Sequence, residues 1–380
     1  MKIAQVSPAF HPAHIYGGPT YSALRLCEAL ADAGGEVRVL TTDANGRERT
    51  LEVDTSREVE LAPRFRVRYC HRIAVHAVSP TLVGNLPELL RWADVVHLTA
   101  AYNFTTFPTL IACRALGKPL VWSPRGGFQR WEGTTRARTK NAWDGACRSV
   151  APGRLALHVT SEDEARQSLA RFPGVKAAVI PNGVDIPAPH VKEDSPVLRL
   201  LYLGRLHPIK GIENLLDACA KLNSDSTLRW SLVLGGDGEA AYRSQLQARS
   251  IELGLSDSVR FVGDVRGDAK QALFHAADVV VVPSHSENFG IVVTEALAHG
   301  LPVIASRGTP WGRLEEVGCG LWVANDADSL ADAIRRVAAL PRAEMGVRAR
   351  QWVESEFSWK RVARDTLDLY ESLMAPAKYA

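Results

Sequence analysis

No cysteine pair with metal-ligand spacing occurs in the 380 residues. The six cysteines, Cys27, Cys70, Cys113, Cys147, Cys219 and Cys319, are scattered without a Cys-x-x-Cys, which argues against a zinc site and against a disulfide framework. A reducing cytoplasm suits such a set. No run approaches the roughly 18 apolar residues of a membrane-spanning helix, so no transmembrane span is expected. The opening MKIAQVSPAF is broken by Gln5 and Ser7 too early for a secretory apolar region and reads as a first strand. A large excess of one charge is also missing: the formal net charge of +3 is too small to point to nucleic acid. The first turn lacks Gly-x-Gly-x-x-Gly, which disfavours a dinucleotide cofactor, and GGDGEA (235–240) matches it only superficially.

With 46% hydrophobic and 23% charged residues the composition is that of a globular chain, and its length suits two domains. The charge is unevenly spread. Residues 1–185 hold 23 Lys and Arg against 17 Asp and Glu, net +6, so the remainder holds 22 against 25, net −3. In the basic half, RFRVRYCHR (64–72) and QRWEGTTRARTKNAWDGACR (129–148) mix arginine with aromatics. Such stretches form a solvated face or meet an anionic lipid surface or substrate.

Short Val/Ile/Leu-rich runs alternate with helix-period segments, the pattern of βαβ units around a mostly parallel sheet. The expected strands of the first half are KIAQVSP, EVRVLTT, DVVHLTA, PLVWSP, LALHVTS and AAVIPNG. Those of the second are LRLLYLGRL, WSLVLGG, VRFVGDV, DVVVVPS, LPVIAS and GLWVAN. The fold class is α/β, two doubly wound halves, with the proline-rich PNGVDIPAPHVKEDSP (181–196) as linker. The expected division is 1–185, 186–356, and an amphipathic helical tail, 357–380, packing back across the first domain.

Open parallel sheets bind ligands beyond the carboxyl ends of their strands. After the first strand, Gly17 and Gly18 precede Pro19 at a helix entry, where a phosphate can approach backbone N–H groups. After the first strand of the second half, GRLHPIKG (204–211) carries Arg205 and Lys210, a guanidinium fork and an ammonium that suit a diphosphate. VVVVPSHSENFGIVVTEALAHG then reads as a buried strand, a loop with Glu287 and Asn288, and a helix whose first turn includes Phe289 and Gly290 and whose second or third carries Glu295. Its N–H groups suit phosphate, and one carboxylate suits the hydroxyls of each sugar of a nucleotide sugar.

This order resembles the donor signature of retaining glycosyltransferases of family 4, which have the GT-B fold. The resemblance covers nearly the whole chain: the Gly17-Gly18 loop, SPRG (123–126), PNGVD (181–185), GRLHPIKG, and SENFGIVVTEALAHGLPVIAS (286–306). It implies two Rossmann-like domains with parallel sheets facing across a cleft, the first for an acceptor and the second for a nucleoside diphosphate sugar of UDP or GDP type. It implies transfer of a hexose-type sugar to a hydroxyl acceptor, as in surface polysaccharide or glycolipid synthesis. Arg205 and Lys210 would neutralise the diphosphate, Glu295 would bind the ribose, Glu287 would lie near the transferred sugar, and backbone at 288–290 and Gly17–Gly18 would complete the site. Many members carry a histidine after the strand where this chain has VWSPRGGF, so Arg125 stands in its place and cannot act as a base.

His97, followed by Tyr102 and Asn103, is a second acceptor-side candidate, with a hydrogen-bonded core histidine as the alternative. His11, His14, His71, His76 and His285 read as surface or turn residues. No metal is expected: Asp326-Ala-Asp328 resembles a metal motif of another glycosyltransferase class, but it precedes SLADAIRRV and suits a helix cap. No cofactor is expected beyond the sugar nucleotide as substrate. The partners expected are that donor, a hydroxyl acceptor with a lipid-linked glycan among the candidates, and an anionic membrane surface, giving a cytoplasmic protein with peripheral attachment at the inner face. Competing readings are a sugar-nucleotide epimerase of the same fold, opposed by GRLHPIKG with the spaced glutamates, and a non-catalytic sugar-nucleotide binder, favoured only by Arg125.

Overall fold

The computed structural model describes residues 1–129, 136–190, 192, 195–223 and 228–375. The central strands are buried on both faces, as parallel strands between helical layers must be, and so read as continuous apolar runs; Val279–Val282 is four valines, all buried. The helices are amphipathic. In Ile212–Leu222 the buried Ile212, Leu215, Leu216, Cys219 and Leu222 recur at helical spacing. The chain divides into two units, Met1–Gly183 joined by the chain from Trp359, and Val184–Ser358.

The first unit runs β1 (Lys2–Val6), α1 (Gly18–Asp32), β2 (Glu36–Thr42), a small hairpin of β3 (Ala44–Asn45) and β4 (Arg49–Thr50), β5 (Val59–Ala62), β6 (Phe65–Cys70), α2 (Pro80–Trp92), β7 (Val95–Thr99), α3 (Thr106–Ala115), β8 (Leu120–Ser123), α4 (Ala137–Val150), β9 (Leu155–Val159), α5 (Glu162–Arg171) and β10 (Lys176–Val179). Its sheet has the order β10-β9-β8-β7-β1-β2-β6-β5, parallel except where β5 meets β6. The winding reverses between β1 and β7.

The second unit runs β11 (Leu198–Leu203), α6 (Ile212–Leu222), β12 (Trp230–Gly235), α7 (Ala240–Glu252), β13 (Val259–Gly263), α8 (Gly267–Ala276), β14 (Val279–Val282), α9 (Ile291–Ala298), β15 (Val303–Ser306), α10 (Arg313–Val317), β16 (Gly320–Val323), α11 (Ala327–Ala339) and α12 (Arg342–Glu356). Its parallel sheet has the order β13-β12-β11-β14-β15-β16, reversing between β11 and β14. Alternate residues of β11 feed two cores: Leu198, Leu200 and Tyr202 face α6 and α11, while Leu201 and Leu203 face α9 and α12. The last helix, α13 (Trp359–Met374), belongs to the first unit, where Val362, Ala363 and Tyr370 pack with Ile3, Leu30 and Val37.

All twelve expected strands are present, and four more, β3, β4, β5 and β6, were missed. RFRVRYCHR is a strand with one polar face: Phe65, Val67 and Tyr69 are buried in β6, while Arg64 and Arg66 are exposed, Arg66 pairing with Glu60, and Arg68 donates to the Ser56 carbonyl. Its Phe-Arg-Val-Arg-Tyr alternation is the period of a strand with one polar face. Residues 130–135 of the other basic stretch, and 191, 193 and 194 of the expected linker, lie outside the described residues.

The acceptor-side assignment of His97 is corrected here. β7 is central in its sheet, so the ring is fully buried, and its Nδ1 lies 2.6 Å from the hydroxyl of Tyr370 on α13. The His158 ring stands beside it, centroids 5.3 Å apart, with Nε2 3.0 Å from the Ile180 carbonyl. Burial, and then the Arg125 charge, pull His158 down to about 3; burial, then His158 and Arg125, pull His97 well below the usual histidine range. Unfolded histidines titrate near 6.5, so the unfolded chain takes up more protons below that pH and stability is lost as pH falls from about 6.5 towards 3. We expect the first unit's urea stability to fall below pH 6 by up to about 2.7 kcal/mol per pH unit, twice the single-group slope of about 1.36. In the doubly substituted His97→Gln/His158→Gln chain that slope should fall, whatever its stability at pH 7, leaving the share of other first-unit groups that the fold also lowers, His11 and Asp54.

Backbone lies on backbone at the end of the second sheet. Gly211 has φ +62°, and a Cβ there would stand 2.1 Å from the Pro283 carbonyl oxygen. Gly211→Ala is therefore expected to cost about 1–3 kcal/mol in urea unfolding of the second unit, because the loops after β11 and β14 must separate.

Candidate functional site

In a doubly wound sheet the ligand crevice opens where the strand order reverses, at the carboxyl ends of the two central strands. In the second unit these are β11 and β14, and the loops that follow them are GRLHPIKG and SHSENFG. The buried Tyr202 hydroxyl donates to the Arg205 carbonyl (2.9 Å), which fixes the backbone while the Arg205 side chain stays exposed. A single 3-10 turn, Pro208–Lys210, follows, with the His207 ring accepting from the Ile209 N–H. The His285 N–H donates to the Ile209 carbonyl (2.8 Å) and the Glu287 N–H to the Gly308 carbonyl (2.9 Å), tying the second loop between its neighbours.

Those bonds bring Lys210 and Glu287 into a direct ion pair, each side chain largely buried. The Ser284 hydroxyl donates to the same Glu287 oxygen at 3.1 Å. Gly290, with φ +77°, turns the chain into α9 as its cap; a Cβ there would meet the Glu287 side chain at 3.0 Å. Asn288 lies in the same turn. Phe289 contributes backbone only, since its ring packs against Trp311 and Phe357 and its carbonyl accepts from the Trp311 indole. Trp311 is itself part of the core.

Glu295 stands in the second turn of α9. Its Oε1 meets the Lys270 ammonium of α8 at 2.6 Å, while Oε2 is buried with no hydrogen-bond partner. Burial raises its pKa above the usual carboxylate value, the Lys270 charge opposes that rise, and Asp185 adds to it. A buried oxygen left unpaired costs roughly 1–3 kcal/mol, and a hydroxyl donated from a ligand would recover it.

The other glycines have structural duties. Leu206 and Asp237 bond through their backbones, and a Cβ on Gly236 or Gly238 would stand within 2.0 Å of the Gly204 or Leu206 carbonyl oxygen. GGDGEA thus lets the loop after β12 lie against GRLHPIKG. Asp326 caps α11, accepting from the Ser329 N–H.

Among the first-unit candidates, each has its own local setting. Gly17, exposed and at φ +66°, caps α1 and is followed by Gly18 and Pro19, and a Cβ on Gly17 would meet nothing within 4 Å. The Tyr102 hydroxyl is engaged by the buried Asp144 (2.8 Å), and the Asn103 carbonyl accepts from the Thr106 N–H (3.2 Å). Arg125, at φ +50°, donates to the Asn182 side chain of PNGVD. The buried Glu164 accepts from the Gly126 N–H and from the Thr160 N–H (2.7 Å). Burial lowers the pKa of the Arg125 guanidinium, with Glu164, Tyr370 and Cys27 opposing the fall.

Sequence reasoning missed Lys270, Ser284 and Glu164. Lys270 and Ser284 carry no motif, and Glu164 shows only as the fourth residue of the Ser161-Glu162-Asp163-Glu164 helix start.

A family model described as Glycosyltransferase Family 4 matches residues 16–187, and one described as Glycosyl transferases group 1 matches residues 187–352. A D-inositol 3-phosphate glycosyltransferase of Saccharomonospora viridis is 36% identical over 404 residues, spanning 94% of this chain and 90% of its own. A GDP-mannose:cellobiosyl-diphosphopolyprenol alpha-mannosyltransferase of Xanthomonas campestris is 27% identical, spanning 98% and 97%. Among solved structures, a sucrose-phosphate synthase from Thermosynechococcus elongatus superposes with a TM-score of 0.74 at 26% identity over 98% of this chain and 99% of that one. Anabaena Alr3699/HepE, solved with UDP, gives 0.74 at 19% identity over 98% and 100%. The chain belongs to glycosyltransferase family 4, and its two doubly wound units are those of the GT-B fold.

Proposed function

We propose that the chain transfers a hexose-type sugar from a nucleoside diphosphate sugar to a hydroxyl acceptor, with retention at the anomeric carbon and without a metal. The observation that carries the donor reading is the buried, unpaired Oε2 of Glu295, at the same strand ends as Arg205 and the Lys210–Glu287 pair. A ribose hydroxyl supplies the missing donor. Arg205 and Lys210 face the diphosphate, Glu287 faces hydroxyls of the transferred sugar, and the backbone at Asn288, Phe289 and Gly290 at the mouth of α9 adds N–H donors. Gly17 and Gly18 offer a second open backbone to phosphate.

Breaking the anomeric C–O bond builds negative charge on the leaving diphosphate and positive charge on the sugar. Cations fixed beside the phosphates lower that barrier without reorganising at the moment of reaction. Lys210 is already held by Glu287, so the leaving group meets an oriented ammonium. The two cations support metal independence, since they supply the neutralisation a divalent ion would otherwise give. Retention rests on family membership, and the front-face route usual for such enzymes requires no protein nucleophile.

The names of the relatives, an inositol phosphate glycosyltransferase and a diphosphopolyprenol mannosyltransferase, support an acceptor that joins hydroxyls to an anionic group, as in surface polysaccharide or glycolipid synthesis. Arg125, Tyr102 and Asn103 remain the acceptor-side residues of this reading. Attachment to an anionic membrane surface would rest on the exposed Arg64 and Arg66 of RFRVRYCHR.

Thermal shift with UDP, GDP, ADP and dTDP should show one diphosphate stabilising the protein in EDTA as well as in magnesium. Glu295→Ala should weaken that diphosphate at least tenfold. Stabilisation that requires the metal would overturn the proposed mechanism. Lys210→Ala is expected to lower kcat by about 10²–10³ in a donor-hydrolysis assay, with a smaller change in nucleotide affinity.

A further inference from the structure

Asp43 and His71 form a dyad at the carboxyl end of the first sheet that the donor reading leaves unused. β2 and β6 are parallel neighbours with Thr42 opposite Cys70, so the residues that follow, Asp43 and His71, emerge side by side. Asp43 is 3% exposed. Its Oδ1 accepts from the Arg72 N–H at 2.9 Å, and its Oδ2 lies 2.7 Å from His71 Nδ1. The His71 side chain is 62% exposed.

The pair is braced from several directions. The Asp43 N–H donates to the Cys70 carbonyl (3.0 Å), and the Leu51 N–H donates to the Asp43 carbonyl (2.7 Å). The Ser79 hydroxyl holds the His71 carbonyl (2.7 Å). The buried Arg72 guanidinium donates to the Gly46 and Arg49 carbonyls at 2.9 and 2.6 Å, closing the hairpin around the dyad. An ordinary surface pair leaves both partners in water and contributes little. Here the carboxylate is buried and only the imidazole edge is open.

The protonation pattern follows from that arrangement. An ionised carboxylate only accepts, so Nδ1 must carry a hydrogen, and in the neutral ring Nε2 is then an acceptor directed to solvent. This is the chemistry for receiving a hydroxyl. The location agrees: the Gly46 N–H, on the same hairpin, donates to the Tyr16 hydroxyl (3.0 Å), so the turn beside Asp43 abuts the loop that leads to Gly17 and Gly18.

We propose that His71, oriented by Asp43, binds a hydroxyl of a polyhydroxylated acceptor through Nε2. The contact orients the acceptor, and no proton transfer is assigned to it. This deepens the glycosyltransferase reading and depends on it for the identity of the ligand as an acceptor. His71 had read as a surface or turn residue because its partner lies 28 positions away.

The test uses the full chain with 15N-labelled histidine, the diphosphate that stabilises it, and four probes: myo-inositol, D-inositol 3-phosphate, mannose and cellobiose. His71 is expected as the Nδ1–H tautomer in the free protein, with the Nε2 resonance moving on addition of at least one probe. His71→Ala should weaken that probe at least tenfold while the Kd for the diphosphate stays within twofold. Asp43→Asn should shift the tautomer towards Nε2–H. An Nε2–H tautomer in the wild type, an Nε2 resonance unmoved by all four probes, or unchanged probe affinity in His71→Ala would each overturn the proposal. Failure of every diphosphate to bind the wild type would instead overturn the donor reading, which the tautomer and probe measurements do not share.

Discussion

The ion pair between Lys210 and Glu287 can form only because two loops lie backbone on backbone, and the second unit is organised around that approach. Gly211 leaves room for the Pro283 carbonyl, and Gly308 for the carbonyls of Ser284 and His285, each of which a Cβ would meet within 2.4 Å. The hydrogen bond from His285 to Ile209 then fixes the register of one loop against the other. With the loops locked, the cation and the carboxylate need no further ordering when an anionic ligand arrives, which is the condition under which electrostatic stabilisation is most effective. The same closeness carries a cost, since neither glycine has a substitute that fits.

The two units use one winding for different ends. In the second, the strand ends at the reversal carry charged and unpaired groups: Arg205 stands exposed and Glu295 keeps an oxygen without a partner. In the first, polar groups run deeper into the sheet. His97 and His158 are buried, one bonded to Tyr370 of the last helix and the other to the Ile180 backbone, so the polar interior links the sheet to α13. Burial in both cases favours neutral rings, and the nearby Arg125 charge pushes the same way.

The strands and the donor loops were legible because local composition decides them. A run such as Val279–Val282 can only be buried, and a glycine at a helix entry announces a tight approach. What escaped was set by tertiary pairing. RFRVRYCHR looked like a basic face because arginine dominates its composition, whereas its two-residue alternation is the more physical signal: Phe65, Val67 and Tyr69 enter the core and the arginines find Glu60 and Ser56. Lys270 lies 25 residues from Glu295 and Asn182 lies 57 from Arg125. No spacing rule reaches across such separations.

Burial and an unpaired atom do not by themselves separate a ligand-binding residue from a core residue. His97 Nε2 and Glu295 Oε2 are both buried without a partner. The distinction comes from position along the strand-loop-helix unit. His97 lies inside β7, wholly enclosed, where a ligand could reach it only by displacing a helix. Glu295 lies one turn into α9, just past the strand end, and keeps 17% of its side chain exposed, so its carboxylate stands at the edge of the core rather than inside it. Of the two unpaired atoms, the one that lies at the mouth of a doubly wound sheet, beyond a strand end and in the first turns of the helix that follows, is the one a ligand in that crevice would meet.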